Sequence, residues 1–196
     1  TEHAQAQRVR FFNRQATQGY LGQAAYVTRD YNRFLSRDAN AIGLNADEVL
    51  NMYDYFQGTT NVLRQEQPLR LLSQIPVDKY HIVGHGPNYS TLEDAGRVVA
   101  KINVMPATVG LVNDITYYDR ADNVTVRENF DWRGFKSSVD YFHPDGRLAV
   151  QKFLNLSGET VLEVTHMNIN GQLLPSMYKL INYLGHDYRF NTEEQL

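Results

Sequence analysis

The sequence predicts an α+β chain, with a short α/β segment followed by a large antiparallel β-sheet in meander order. Three observations carry this. A run of good helix formers without Pro or Gly extends from Glu2 to Gln15, and a strand-like stretch, Ala24–Thr28, follows it. From about Tyr80 onward, short alternating runs are separated by turn residues at regular spacing. The links between those runs are short enough to permit only antiparallel pairing. At 196 residues the chain can bury a real core, as one domain or as two small ones.

In the first third, Gly19 and Gly22 separate the opening helix from the Ala24–Thr28 strand. Leu44-Asn45-Ala46-Asp47-Glu48 reads as a helix start, with Asn45 as N-cap and Glu48 at the capping-box position. Val49, Leu50, Tyr53 and Phe56 then form one apolar face at helical spacing, and Gly58 stands where the helix should stop. Helix, strand and helix in this order predict part of a parallel-sheet unit.

The β grammar comprises Arg97–Met105, Val109–Tyr118, Val124–Phe130, Lys136–Phe142, Arg147–Leu156, Thr160–Asn168, Ser176–Leu184 and Asp187–Phe190. That is about eight or nine strands counting from Tyr80. Between the fourth and fifth runs, His143-Pro144-Asp145-Gly146 supplies turn chemistry: Pro144 presets φ and Gly146 accepts the positive φ that closes the turn. Asn170-Gly171 is the strongest local hairpin mark, because both residues tolerate the positive φ of a type I′ turn.

Composition narrows the function classes. The 42% hydrophobic and 21% charged shares are those of an ordinary soluble globular protein. A net charge of -3 and a pI near 6.0 offer no basic field for nucleic acid. Zero cysteines exclude a disulfide scaffold, a thiolate metal site and a cysteine nucleophile. No apolar run approaches the roughly 20 residues of a membrane span, and no signal peptide opens the chain, so the cytoplasm is the expected compartment. The Asn-X-Ser/Thr sequons at Asn88, Asn123 and Asn155 read as chance occurrences.

The stretch from Glu128 to Asn155, with its Asp131-Trp132-Arg133-Gly134-Phe135 lead-in and Asp145-Gly146 turn, resembles a known family. It looks like the β-sheet extension of bacterial glycosyltransferases built from two Rossmann domains (GT-B). These include poly(glycerol-phosphate) α-glucosyltransferases of teichoic acid and accessory-Sec enzymes that glycosylate serine-rich adhesins. In that family a helix reading Glu-His/Tyr-Ala-Gln follows the first strand and a glycine-rich loop, and Glu2-His3-Ala4-Gln5 is similar to it. Asn51–Gln57 looks like the helix just ahead of the inserted sheet. The resemblance implies a partial N-terminal Rossmann-like segment over residues 1–79, the sheet extension over 80–190 and a return linker over 191–196. The chain thus reads as an excised segment of a longer protein: it opens in helical pattern without methionine and stops at Glu193-Glu194-Gln195-Leu196.

What the resemblance implies for chemistry is equally partial. Donor contacts in such retaining enzymes come mainly from the second Rossmann domain, so no catalytic residue is expected here. A site shared between two domains cannot position a transition state with half of one, so the segment alone is expected to be inactive in sugar transfer. The helix start at Glu2 and His3 suits a diphosphate or acceptor phosphate, or is simply a fraying terminus. Trp132, Arg133 and Lys136 form a candidate acceptor or partner surface. The plainer account, which we favour, packs Trp132 at a sheet corner with Arg133 paired to Asp131 or Glu128.

Other constellations are weaker. His81 and His85 have a helical metal spacing, but Gly84, Gly86 and Pro87 oppose a helix and no third ligand is evident, so no metal site is expected. Gly84-His85-Gly86-Pro87-Asn88 lacks the Lys-Ser/Thr ending of a P-loop and reads as a turn entering the sheet. Of Asp119, Asp131, Asp140 and Asp145, three sit at turns or strand ends, which argues against a glycosidase carboxylate pair. No Gly-X-Ser-X-Gly elbow occurs.

Two readings follow. In the first, the chain is part of a transferase moving glucose or N-acetylglucosamine from a UDP-sugar to a teichoic acid or serine-rich protein, without any further cofactor. The sheet then binds acceptor or joins subunits, as a homo-oligomer or with a sister subunit, through its exposed strand edges. In the second, it is a stand-alone carbohydrate- or protein-binding module without catalysis.

Overall fold

The computed structural model describes residues 2–17 and 25–196, with the side chains of residues 2, 3, 12 and 15–17 left aside. Gly19, Gly22 and Ala24 of the expected break and strand lie outside the described residues. The α+β class holds, and the chain forms two compact units that divide between Leu63 and Arg64.

The first unit contains α1 (Glu2–Thr17), β1 (Tyr26–Thr28), α2 (Leu35–Ala41), a 3-10 turn (Ala46–Glu48), β2 (Val49–Asn51) and α3 (Met52–Gln57). Strands β1 and β2 pair in parallel, Tyr26 opposite Val49 and Thr28 opposite Asn51, as a parallel-sheet unit requires. A parallel pair needs a crossover, and α2, for which no helix is expected from the sequence, lies in it with Leu35, Ala39 and Ile42 on one apolar face at i, i+4 and i+7. The core consists of Ala6, Val9, Ala39, Leu44 and Val49, with Tyr26, Leu35 and Ile42 packed against it.

One expectation is corrected here. The capping box forms, with the Asn45 amide donating to Glu48 Oε2 at 3.0 Å, but the helix lasts a single 3-10 turn. Val49–Asn51 then extends into β2, and Leu50, expected on the apolar helix face, is 40% exposed. Long-range pairing to β1 wins over the local helical pattern, as tertiary context commonly does. Asn51 becomes the cap that starts α3: its Oδ1 accepts from Tyr53 N (2.9 Å) and Asp54 N (3.1 Å), while its Nδ2 donates to Asp30 O at 2.9 Å. Gly58 closes α3 in the left-handed region, φ 68°, as its position predicts.

The second unit is a ten-stranded antiparallel sheet whose spatial order is its sequence order. Its strands are β3 (His81–Gly84), β4 (Tyr89–Asp94), β5 (Arg97–Val104), β6 (Val112–Tyr118), β7 (Val124–Phe130), β8 (Lys136–Phe142), β9 (Leu148–Leu154), β10 (Thr160–Ile169), β11 (Gln172–Tyr183) and β12 (His186–Phe190). The sequence foresees this meander as about eight or nine strands from Tyr80 but assigns no run to β3 or β4, which the Gly84–Asn88 turn and the short link to β5 conceal. Asn170 (φ 53°) and Gly171 (φ 87°) form the β10–β11 turn with the positive φ pair of type I′. Every strand pairing except β3–β4 contains a register shift. Each such irregularity bends its strand and increases the local twist.

Residues 64–75 pack on one face of this sheet as a strap, so they share the sheet's unit although the sequence groups them with the α/β segment. The strap is pinned by Gln65 N to Arg133 O (2.8 Å) and Arg70 N to Gly110 O (2.8 Å). Gln67 adds two bonds, accepting from Val112 N at 2.7 Å and donating to Gly134 O at 3.3 Å. Arg70 and Leu71 adopt φ of 50° and 53°, which drops Leu71 into a core of Leu92, Ala100, Ile102, Val112, Ile115 and Phe130. The Arg70 guanidinium reaches Ser90 Oγ and Gly86 O, each at 2.7 Å.

Candidate functional site

In an antiparallel ladder, directly opposed residues share a face. The register therefore sets Lys101, Thr116, Arg127, Asp140 and Gln151 in one row across β5 to β9. A second row beside it contains Asn103, Asp114, Asn129 and Ser138. Neither row contains an apolar side chain until Phe153. Both lie on the face opposite the Leu71 core, since Ile102 and Ile115 alternate with their members along the strands.

The rows carry two hydrogen-bonded groups, one centred on Asp114 and one on Asp140. Asp114 Oδ1 accepts from Asn103 Nδ2 (2.8 Å) and Thr116 Oγ1 (3.1 Å), and its Oδ2 accepts from Asn113 Nδ2 (2.8 Å). Asp140 accepts from Gln151 Nε2 at 2.8 Å and from Asn129 Nδ2 at 2.9 Å. Asn129 also meets Ser138 Oγ at 3.1 Å, and Arg127 Nε donates to Thr116 Oγ1 at 3.3 Å. Asp114, Thr116, Asn129, Ser138 and Asp140 are all buried, a placement that amide and hydroxyl partners make tolerable. Half-buried Lys101, Asn103, Arg127 and Gln151 present the outer polar atoms.

Aromatic rings flank the two groups. Tyr89 lies between the His85 ring, stacked at 4.8 Å, and the Lys101 ammonium, 4.3 Å from the ring centroid. The Arg127 guanidinium sits 5.2 Å from the Phe142 centroid. Burial holds the His166 imidazole below its ordinary pKa, an effect that the nearby Asp140 carboxylate opposes. The arrangement presents hydrogen-bond donors, acceptors and ring faces along a strip five strands wide. It is suited to holding a polar chain rather than to bond making, since its carboxylates already accept from fixed amides.

The residues singled out by sequence do not form one cluster. Helix α1 starts at Glu2, but the Glu2 and His3 side chains lie outside the described residues. Arg133 is only 5% exposed, so it is not part of an exposed anchor group. Its Nε donates to Asp131 Oδ1 (2.7 Å) and its Nη2 to Asp131 Oδ2 (3.1 Å), because a guanidinium this deep needs a carboxylate beside it. Trp132 has the Arg64 guanidinium 4.5 Å over its ring. Lys136 pairs with Glu128 at 2.7 Å, on the strap's face of the sheet. His85 Nε2 meets Thr91 Oγ1 at 2.9 Å, and among the described residues no group of His, Asp and Glu side chains is arranged to hold a metal ion. Asp119 and Asp145 serve turns: Asp119 accepts from Ala121 N and Asn123 N, and Asp145 from Arg147 N. The polar rows were missed by sequence reasoning. Their one signal is polar residues two apart within strand runs, as in Asp114/Thr116, Arg127/Asn129 and Ser138/Asp140.

The chain shares its fold with several solved structures. It aligns with the structure of accessory secretory proteins 1, 2 and 3 from Streptococcus pneumoniae over 93% of its length (TM-score 0.68, 20% identity, 34% of that chain). The resemblance is one of fold. It extends to the pneumococcal O-GlcNAc transferase GtfA in complex with UDP and GlcNAc, over 97% of this chain and 35% of that one (TM-score 0.68, 18% identity). TarM matches over 92% of this chain and 36% of its own (TM-score 0.59, 16% identity). The likeness to bacterial GT-B glycosyltransferases of the accessory-Sec and teichoic-acid types read from the sequence is thus present in three dimensions as a shared fold. No protein-family model matches the sequence, and no curated protein does. The chain spans about a third of the length of the solved chains it matches. Among the described residues, no helix is long and apolar enough to cross a membrane.

Proposed function

We propose that this chain is the acceptor-side part of a retaining glycosyltransferase, and that the polar rows of its sheet hold the acceptor. The observation that carries the reading is the polar strip from Asn103 to Gln151, held by hydrogen-bonded groups around Asp114 and Asp140, on a sheet whose fold is shared with a transferase structure over 97% of this chain. The donor is a UDP-sugar carrying glucose or N-acetylglucosamine. It is bound by parts of the protein equivalent to the two-thirds of the matched chains that this chain does not span. The acceptor is a serine-rich protein or a teichoic-acid polymer, and the reaction takes place in the cytoplasm. Exposed edges at β3 and β12 support pairing with a second copy or a sister subunit. Residues 191–196 serve as the return linker to a Rossmann domain.

The test uses the intact protein with radiolabelled UDP-glucose or UDP-N-acetylglucosamine and each acceptor type. Asn129→Ala and Asp140→Asn are expected to raise the KM for acceptor about tenfold, since each removes a charged or amide hydrogen bond from the Asp140 group. Hydrolysis of the UDP-sugar in the absence of acceptor should be unchanged. Transfer to neither acceptor, or an unaltered acceptor KM in both variants, would overturn the proposal.

A further inference from the structure

On the other face of the sheet, a cavity of about 440 Å³ opens between the strap and strands β6 to β8. That volume falls within the usual range of small-molecule sites. Its floor is apolar, made by Leu71, Ile115 and Phe130, all below a tenth exposed. Its wall is a triad: Glu128 Oε1 accepts from the Lys136 ammonium at 2.7 Å, and Glu128 Oε2 accepts from the Tyr117 hydroxyl at 3.2 Å. Gln74 of the strap stands at the rim.

The hydrogen-bonding capacity of the triad is only partly used. A carboxylate has about four lone-pair sites and an ammonium three N–H groups. Glu128 therefore keeps an acceptor site on each oxygen, Lys136 keeps two donors, and the Tyr117 oxygen can still accept. Burial, with Glu128 beside it, pushes the Tyr117 hydroxyl above its ordinary pKa of 10.0, so it stays protonated at neutral pH. The Glu128–Lys136 pair is half-exposed and reachable, at 21% and 38% side-chain exposure. Its charges cancel, so an anion placed beside Lys136 meets the carboxylate at once. A neutral ligand with adjacent hydroxyls, each both donor and acceptor, and with an apolar face for the floor satisfies all of these groups together.

We propose that this cavity is a binding site for a single neutral hexopyranose, distinct from the polar rows. Its apolar C–H face lies on Ile75 and the Tyr117 ring, the half-buried apolar groups of the lining, and two adjacent hydroxyls bridge Glu128 and Lys136. The site rests on the geometry of the strap and sheet alone and does not require the transferase reading.

Ligand-observed saturation-transfer NMR on the intact protein tests it, with methyl glucopyranoside and methyl N-acetylglucosaminide as probes and glycerol phosphate as the anionic comparison. Saturable sugar binding is expected with Kd on the order of 1–10 mM, as befits a small polar ligand in an open site. Tyr117→Phe and Glu128→Gln should each weaken it about tenfold. Lys152→Met, which removes an ion pair to Glu163 elsewhere on the same face, should leave it unchanged. A nitroxide attached at Gln74→Cys reports position without altering the triad, and should broaden the bound sugar's signals. Sugar binding that does not saturate below ~50 mM, a preference for glycerol phosphate, or no broadening from residue 74 would each overturn the proposal. None of these readouts measures sugar transfer, so the outcome is separate from that of the acceptor assay.

Discussion

Gly134→Ala probes the contact that holds the strap on the sheet. Gly134 has φ +97°, and a methyl group there would stand 2.9 Å from the Gln65 carbonyl oxygen. A backbone atom cannot rotate aside, and the Gln65 amide is bonded to Arg133 O at 2.8 Å, one residue away. The strained φ costs alanine roughly 1–3 kcal/mol. Drawing the strap back to clear the methyl group weakens the Gln65 bond and the Gln67 bond to Gly134 O, about 1 kcal/mol each. The expected destabilisation is about 3–5 kcal/mol. Gly146→Ala is the internal comparison: its φ is +80° and nothing lies within 4 Å of the added methyl, so only the conformational part, about 1–2 kcal/mol, applies. Urea unfolding followed by the fluorescence of Trp132, the only tryptophan and two residues from Gly134, measures both. Equal destabilisation by the two variants would show that the close approach of the strap contributes nothing.

Three further substitutions, at two positions, test the other unit and the pH response. Asn51→Ala should cost about 2 kcal/mol by removing the α3 cap, whereas Asn51→Asp keeps the cap but faces the Thr28 and Asp30 carbonyls without a donor. Circular dichroism of thermal unfolding should therefore place the aspartate variant between alanine and the unsubstituted protein, and indistinguishable alanine and unsubstituted curves would sink this account. His166 is held below its ordinary pKa of 6.5 by burial, so the folded state binds its proton more weakly than the unfolded state. Its contribution is complete above 6.5 and is lost as pH falls through the folded pKa. Comparing urea midpoints at about pH 7.5 and about pH 5.5, His166→Leu should show a smaller acid-side loss than the unsubstituted protein, and an identical loss would refute the assignment.

Much of the local structure could be read directly. The Lys136–Phe142 strand, the Gly146 and Asn170-Gly171 turns and the Gly58 helix stop each depend on a few adjacent residues, and all stand where the pattern places them. Asn45 and Glu48 form their capping box even though the helix they announce is one turn long. Strands β3 and β4 were hidden on either side of the Gly84–Asn88 turn, and the change of unit falls earlier than the change of pattern because residues 64–75 lie on the sheet.

The sequence by itself determined the antiparallel meander, its turns and its class, because backbone preference and strand alternation act over a few neighbouring residues. Only the tertiary structure decided that Val49–Asn51 is a strand, since a parallel ladder to Tyr26–Thr28 outweighs the helical spacing of its side chains. It also decided that Arg133 is buried against Asp131 while Lys136, three residues on, opens into the cavity under the strap. The polar rows from Asn103 to Gln151 belong to the same category. Register across five strands places those side chains together, and a shift of one residue would send them to the opposite face.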